Sequence, residues 1–238
     1  MRTDLGLEPT VTLPAGVATL SARARRQRAV AEVRRGSILD AARAAFAELG
    51  LEGASLREIA KRAGYTPGAL YSYFDSKEAV YGALLAESLE QLNACVGSAM
   101  PAASAPASAV LRSTATAFFG FYLERPRDLE LGFYIVGGLQ PRGLTPALND
   151  RLNERLRQAL RPTEQALIGM GLGEPQARSE MTALFAHTAG VLLLSHTGRL
   201  RLFQQSPAAL FSAYLDALLQ RLGDAARTPE RTGTRHSR

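Results

Sequence analysis

Four helix starts and stops fall in register between Gly36 and Leu85, within fifty residues. Few sequence features constrain a fold as tightly as that. Ile38, Leu39, Ala42, Phe46 and Leu49 recur at the spacing of one helical face, so a helix is expected from about Arg34 to Leu49, closed by Gly50. Ser55 followed by Glu58 has the spacing of a capping box and opens a second helix, whose buried side carries Ile59 and Ala63 and which Gly64 stops. Thr66 is placed to cap a third helix, with Pro67 at the first helical position, where a missing N–H costs nothing. Asp75 and Glu78 make a further cap-like pair ahead of a fourth helix, which runs to about Cys95. The segment therefore reads as a helix, a helix-turn-helix and the start of a long helix.

The remainder is a second helical body. After the Pro/Ala-rich break at 101–106, helical patterning covers about 107–124, 127–138, 145–170, 175–203 and 207–222, with Pro162 expected to bend or split the third of these. No stretch shows strand alternation between hairpin turns, so the fold class is all-α. The divisions are a flexible basic arm at 1–33, a helix-turn-helix domain at 34–82, a regulatory and dimerisation domain at 83–225, and a disordered basic tail at 226–238. The Arg-rich part of the arm, from Ser21, is either a solvated helical extension or a strand-like or helical arm touching phosphates or the minor groove.

Charge follows the same divisions. Residues 21–82 hold eleven basic and seven acidic side chains, and the tail holds four and one, whereas 83–225 holds twelve of each. A basic head on a neutral body suits an acidic partner at one end only. The single cysteine, Cys95, rules out an intramolecular disulfide and fits a reducing compartment. No run approaches the ~20 apolar residues of a membrane span, and no basic-then-apolar leader opens the chain, so a cytoplasmic protein with no membrane partner is expected.

A helix-turn-helix lays its second element across the DNA backbone and its third into the major groove. With Leu70 and Phe74 turned inward, Thr66, Pro67, Gly68, Ala69, Tyr71, Ser72 and Tyr73 border the DNA. Gly68 and Ala69 permit close approach, Thr66 can bond a phosphate or touch a thymine methyl, and the two tyrosines reach phosphates. Either tyrosine could instead be core or plain surface. Ser55 can cap its helix and still offer a hydroxyl to phosphate. Arg57 and Arg62 could reach the backbone or remain solvated. Lys77, in the first turn of the fourth helix, adds charge where backbone N–H groups already attract an anion. The exposed face carries no Asn, Gln or Arg for bidentate base reading, so specificity rests on apolar contacts, DNA shape and the arm containing Arg23, Arg25, Arg26 and Arg28.

Other chemistries find little support. His187 and His196 are nine apart, without carboxylate or cysteine at ligand spacing, so no metal site is expected. No phosphate loop, nucleophile elbow or Cys–His pairing points to an enzyme, and no cofactor is implied. In the body, Phe118, Phe119, Phe121, Tyr122, Phe133 and Tyr134 form an aromatic cluster that is either core or the wall of an apolar ligand site. Arg112, Tyr122 and His187 are the candidate polar anchors. Phe185, Val191, Leu192, Phe211, Tyr214, Leu215, Leu218 and Leu222 make the last two helices apolar over more than one face, the pattern of a two-fold helical interface or of a monomer core.

The run Ile38–Ala42, Phe46, Gly50, Ser55–Ile59–Ala60, Ala63–Gly64, Gly68-Ala69-Leu70-Tyr71-Ser72-Tyr73-Phe74 and Lys77-Glu78 resembles the DNA-binding domain of TetR-family transcriptional regulators. Tyr73 stands where the family often has histidine. The body is similar to the family in architecture, and Tyr122–Leu131 resembles a stretch seen in many members. The resemblance implies a homodimer whose heads read a palindromic operator in double-stranded DNA, usually as a repressor, with half-sites ~34–36 Å or a multiple apart. It also implies that a small apolar or amphipathic effector in the body changes the distance between heads. Two alternatives stand beside it: the same fold without a ligand, and a structural protein that coats DNA regardless of sequence.

Overall fold

The computed structural model describes residues 21–133 and 144–227. Its helices are α1 (Ala22–Gly53), α2 (Leu56–Ala63), α3 (Pro67–Tyr71), α4 (Lys77–Ser98), α5 (Ala107–Glu124), α6 (Pro126–Gly132), α7 (Pro146–Gly169), α8 (Glu174–His196) and α9 (Pro207–Arg227), with a 3₁₀ turn at Arg199–Phe203. The described residues contain no strand, as the all-α reading requires. None of their helices is long and apolar enough to cross a membrane. Tyr134, the first twenty residues and the tail beyond Arg227 lie outside the described residues.

The chain divides between Ser37 and Ile38 into two units. In the first, the basic segment expected to be part of a flexible arm is helical, and the Ser21 Oγ accepts the Ala24 N–H at its start. Helix thus begins a dozen residues before the expected Arg34. Arginine is a good helix former, and this segment carries no glycine or proline to break it until Gly36. Arg23, Arg25, Arg26, Arg28 and Arg34 are exposed along it.

The second unit holds the core. Ile38, Leu39, Ala42, Ala45 and Phe46 are fully buried along one face of α1. Gly50, at φ 70°, breaks the helical path four residues after Phe46, in a region that other residues enter at a cost. From there α2 and α3 fold back, and α4 packs on α5, α6 and α7. Polar bonds fix the α4–α7 contact. The Asn93 Nδ2 donates to the carbonyls of Leu89 and Arg155 at 2.7 and 3.0 Å, and the Arg155 Nη1 donates to that of Ala86 at 2.9 Å. Between α5 and α7 the buried hydroxyls of Thr114 and Thr163 meet at 3.1 Å, so neither is left unsatisfied.

Three expectations are corrected. α4 is capped by Ser76, whose Oγ accepts the Ala79 N–H at 3.1 Å; the pair of Asp75 and Glu78 is one residue out of register with the cap. Of the bend or split expected at Pro162, the split does not occur: α7 runs on through it as one helix, and packing against α4, α5 and α8 outweighs the one backbone bond proline removes. The patterning at 175–203 is an α-helix to His196 and a separate 3₁₀ turn, divided by Gly198 at φ 71°.

The last two helices need a larger correction. Val191, Leu192, Phe211, Leu215, Leu218 and Leu222 are buried within the protomer itself. Phe119 stacks on Phe211 with centroids 4.2 Å apart, which shows where the α9 apolar stripe goes. A side chain already withdrawn from water has little left to bury against a partner, so these six belong to the protomer's own core. The opposite face of α8 and α9 is the one left open, with Ala183, Ala186, Gly190, Leu193 and Leu194 on α8 and Ala209, Ala213 and Ala217 on α9.

Candidate nucleic-acid interface and body cavity

Local capping shapes the head. The Ser55 Oγ accepts the Glu58 N–H at 3.2 Å, and Gly64 ends α2 in the left-handed region at φ 75°. The Thr66 Oγ1 accepts the Ala69 N–H at 3.2 Å, with Pro67 at the first position of α3. Both hydroxyls use a lone pair for the cap, which leaves each O–H able to donate to a phosphate. Ser72 uses its proton on the Ala69 carbonyl at 2.6 Å and keeps acceptor capacity only.

Leu70 is fully buried and Phe74 nearly so, which rotates the rest of α3 and its following turn outward. Thr66, Pro67, Gly68, Tyr71 and Ser72 are exposed, and Ala69 is half-buried between them. The two tyrosines differ. Tyr71 is 54% exposed, whereas Tyr73 is half-buried and packs on the core. Lys77 sits half-buried in the first turn of α4, and Arg57 is exposed on α2.

Arg62 is engaged elsewhere. Its Nε donates to the Glu58 Oε1 and its Nη1 to the Glu48 Oε2, both at 2.7 Å. The guanidinium beside Glu48 holds that carboxyl below the usual range, and the two carboxylates raise the arginine further. Its fork clamps α2 to α1, so Arg62 braces the head where Arg57 faces solvent.

The body holds an open-sided cavity of about 220 Å³ lined by Leu85, Leu89, Tyr122, Gly132, Phe133, Leu152, Asn153, Leu156 and Phe185. Of the expected ligand residues, Tyr122 and Phe133 form its wall, with centroids 5.6 Å apart and edge to face. Phe118 stands behind them, edge-on to Tyr122 and to Phe185. Burial pushes the Tyr122 phenol well above its ordinary pKa, with the charge of Asp128 adding to the shift. Phe185, expected at an interface, is half-buried and lines the cavity.

Arg112 and His187 stand away from it. Arg112 pairs with Asp216 of α9 at 2.6 Å on the exposed side of α5. The ring of His187 stacks on Tyr214 with centroids 4.0 Å apart. Sequence reasoning missed Leu85, Leu89, Leu152, Leu156, Asn153 and Gly132. It also missed Tyr81, whose hydroxyl donates to the Leu131 carbonyl at 2.7 Å. The aliphatic spacing on α4 and α7 signals burial and nothing more, because a cavity wall and a filled core use the same residues.

The chain matches a profile of bacterial regulatory proteins of the tetR family over residues 38–84. A second profile, the tetracyclin repressor-like C-terminal domain, matches residues 111–218. Among curated relatives, the HTH-type transcriptional repressor KstR2 of Rhodococcus jostii is 44% identical over 59 residues, 25% of this chain and 29% of that one. The A-factor receptor protein of Streptomyces griseus is 49% identical over 51 residues, 21% of this chain and 18% of that one. The chain thus spans under a third of the length of these relatives. The similarity to solved structures extends over the body. The regulatory protein SCO4313 superposes with a TM-score of 0.67 at 24% identity, covering 85% of this chain and all of that one. FadR of Bacillus subtilis, solved with stearoyl-CoA, gives 0.59 at 22%, covering 77% and 96%. Both the head and the helical body are accounted for by one lineage, and the chain belongs to the TetR family of transcriptional regulators.

Proposed function

We propose that the protein is a homodimeric repressor that binds a palindromic operator and releases it when a small molecule occupies the body cavity. The observation that carries the reading is the outward set Thr66, Pro67, Gly68, Tyr71 and Ser72, held by a helix whose only fully buried side chain is Leu70. Such a short helix, capped at Thr66 and nearly free of bulk at Gly68 and Ala69, lets backbone approach the groove floor. Ser55, Thr66, Tyr71 and Lys77 hold phosphates, Arg57 adds a backbone contact, and Tyr73, half-buried against the core, offers its hydroxyl at the edge of the same face. Few of these groups read base edges, so shape and apolar contacts to thymine methyls supply the discrimination.

Dimerisation uses the open small-residue face of α8 and α9. Ala183, Ala186 and Gly190 let a partner helix approach closely, and Leu193 and Leu194 supply apolar area to bury. The effector reading draws on the 220 Å³ cavity and on the likeness to FadR, a protein solved with an acyl-CoA in place. The route from cavity to head is short. Gly132 and Phe133 line the cavity, their neighbour Leu131 accepts a bond from Tyr81, and the Tyr81 ring meets Phe46 of α1 edge-on at 5.9 Å. An effector that moves the end of α6 therefore biases α4 and the head between two arrangements.

Selection of genomic fragments by the purified protein at physiological salt tests the reading. Enrichment of one palindrome supports it. Steeply salt-dependent binding with no enriched motif replaces it with a DNA-coating role.

A further inference from the structure

Resting on the reading that the body cavity holds the effector, we propose that the part of the effector seated there is a compact, uncharged ring of about nine non-hydrogen atoms, with one hydrogen-bond acceptor read by Tyr122. Size comes first. A cavity of about 150 Å³ lined by apolar side chains takes up benzene, with its six carbons. At about 220 Å³ the space here scales to roughly nine atoms held inside the pocket, about half of an eighteen-carbon acyl chain.

Shape comes next. Tyr122, Phe133 and Phe185 form a contiguous aromatic wall: Tyr122 meets Phe133 edge-on, and Phe133 lies within 24° of parallel to Phe185 at 5.9 Å. Leu89 is among the aliphatic residues that complete the lining. Aromatic faces with aliphatic flanks favour a flat ring over a flexible chain.

Polarity decides the class. The described lining contains no charged side chain; its polar groups are the Tyr122 hydroxyl and the Asn153 amide. Arg155, beside the lining residue Leu156 on α7, donates through its Nη1 to the Ala86 carbonyl at 2.9 Å. A carboxylate seated among these described residues would lose hydration without gaining a counter-ion from them. The Tyr122 phenol is protonated at neutral pH, and burial moves its ionisation further away, so it is a neutral donor suited to a carbonyl or ether oxygen. The hydroxyl sits close against Gly132, within 3.1 Å of where a Cβ would stand. A larger residue at 132 would displace the donor.

The test uses the full chain without DNA, so its outcome is independent of whether an operator exists. Acetophenone, ethylbenzene and benzoate are titrated by calorimetry or ligand-observed NMR. Acetophenone and benzoate have the same number of non-hydrogen atoms and differ in charge. The expected result is acetophenone binding at least tenfold more tightly than benzoate and about five- to tenfold more tightly than ethylbenzene. Tyr122→Phe should abolish the preference over ethylbenzene while ethylbenzene affinity stays within twofold. Leu89→Phe, which fills the space, should remove binding of both neutral probes with helicity retained. Benzoate binding as tightly as acetophenone would overturn the proposal. So would stearoyl-CoA binding where none of the small probes does, an unchanged preference in Tyr122→Phe, or no binding by any of the three.

Discussion

The hydroxyl of Tyr81 donates to the main-chain carbonyl of Leu131 at 2.7 Å, joining α4 to the last turn of α6. The bond is buried, and its acceptor immediately precedes Gly132 and Phe133 of the cavity wall. Tyr81→Phe keeps the ring against Phe46 but leaves a buried carbonyl without its donor. The variant should lose about 1–2 kcal/mol of stability in urea denaturation, with an unchanged denaturant slope. Stability equal to the parent would mean that this bond is not a structural tie.

Within the head, exposure separates residues that touch DNA from residues that hold the domain together. Tyr71→Ala and Arg57→Ala should each reduce operator affinity by roughly tenfold, with stability within about 0.5 kcal/mol of the parent. Arg62→Ala should show the reverse, a lower unfolding midpoint with a smaller effect on operator affinity, because its fork already holds Glu48 and Glu58. Fluorescence anisotropy on the selected operator, paired with thermal melts, distinguishes the two patterns.

The Glu48–Arg62 pair also fixes a pH dependence. The folded Glu48 carboxyl lies below its unfolded value, chiefly through the hydrogen bond from Arg62. Its contribution to stability is therefore fully present above the unfolded pKa and is lost as pH falls through the folded one. Glu48→Gln should melt below the parent at neutral pH, and the gap should close on the acid side. Both carboxylates of the cluster are solvent-accessible, so the gap should also narrow as salt is raised.

The head was legible in sequence because its signals are local: Ser55, Gly64, Thr66 and Pro67 act on backbone within three residues of themselves. The cap of α4 was misplaced by one residue because Asp75 and Ser76 are equally good cap types, and only chain geometry chooses Ser76. The body was legible in class but not in facing. Leu218 and Leu194 look alike in a sequence whose helices are apolar on more than one side, yet Leu218 is 1% exposed and Leu194 37%. The cavity was half legible. The aromatic wall of Tyr122 and Phe133 stood out by composition, whereas Leu89 and Asn153 join it through the α4–α7 packing alone.

That difference in facing gives a direct test of the dimer surface. Leu218→Arg places a charge inside the protomer and should leave the chain unfolded or aggregated. Ala186→Arg and Leu194→Arg place it on the open face of α8 and should give a folded, helical monomer. Each should lose tight operator binding, since one head alone contacts one half-site. Sedimentation equilibrium reads the outcome. A dimer that survives both α8 substitutions would move the interface off this face.

The exposed arginines of the first unit leave a quantitative signature on DNA binding. Arg23, Arg25, Arg26 and Arg28 lie in one helical segment with Glu32 as its only acidic residue before Ser37. Each phosphate they neutralise adds about 0.9 to the slope of log affinity against log salt concentration. Changing all four to alanine preserves helix propensity and should lower that slope by about 2 or more for the dimer, while the order of preference among operator variants stays the same. A changed order would show that the segment reads sequence, as minor-groove arms do. An unchanged slope would show that these arginines remain solvated in the complex and that the head alone carries the electrostatic attraction.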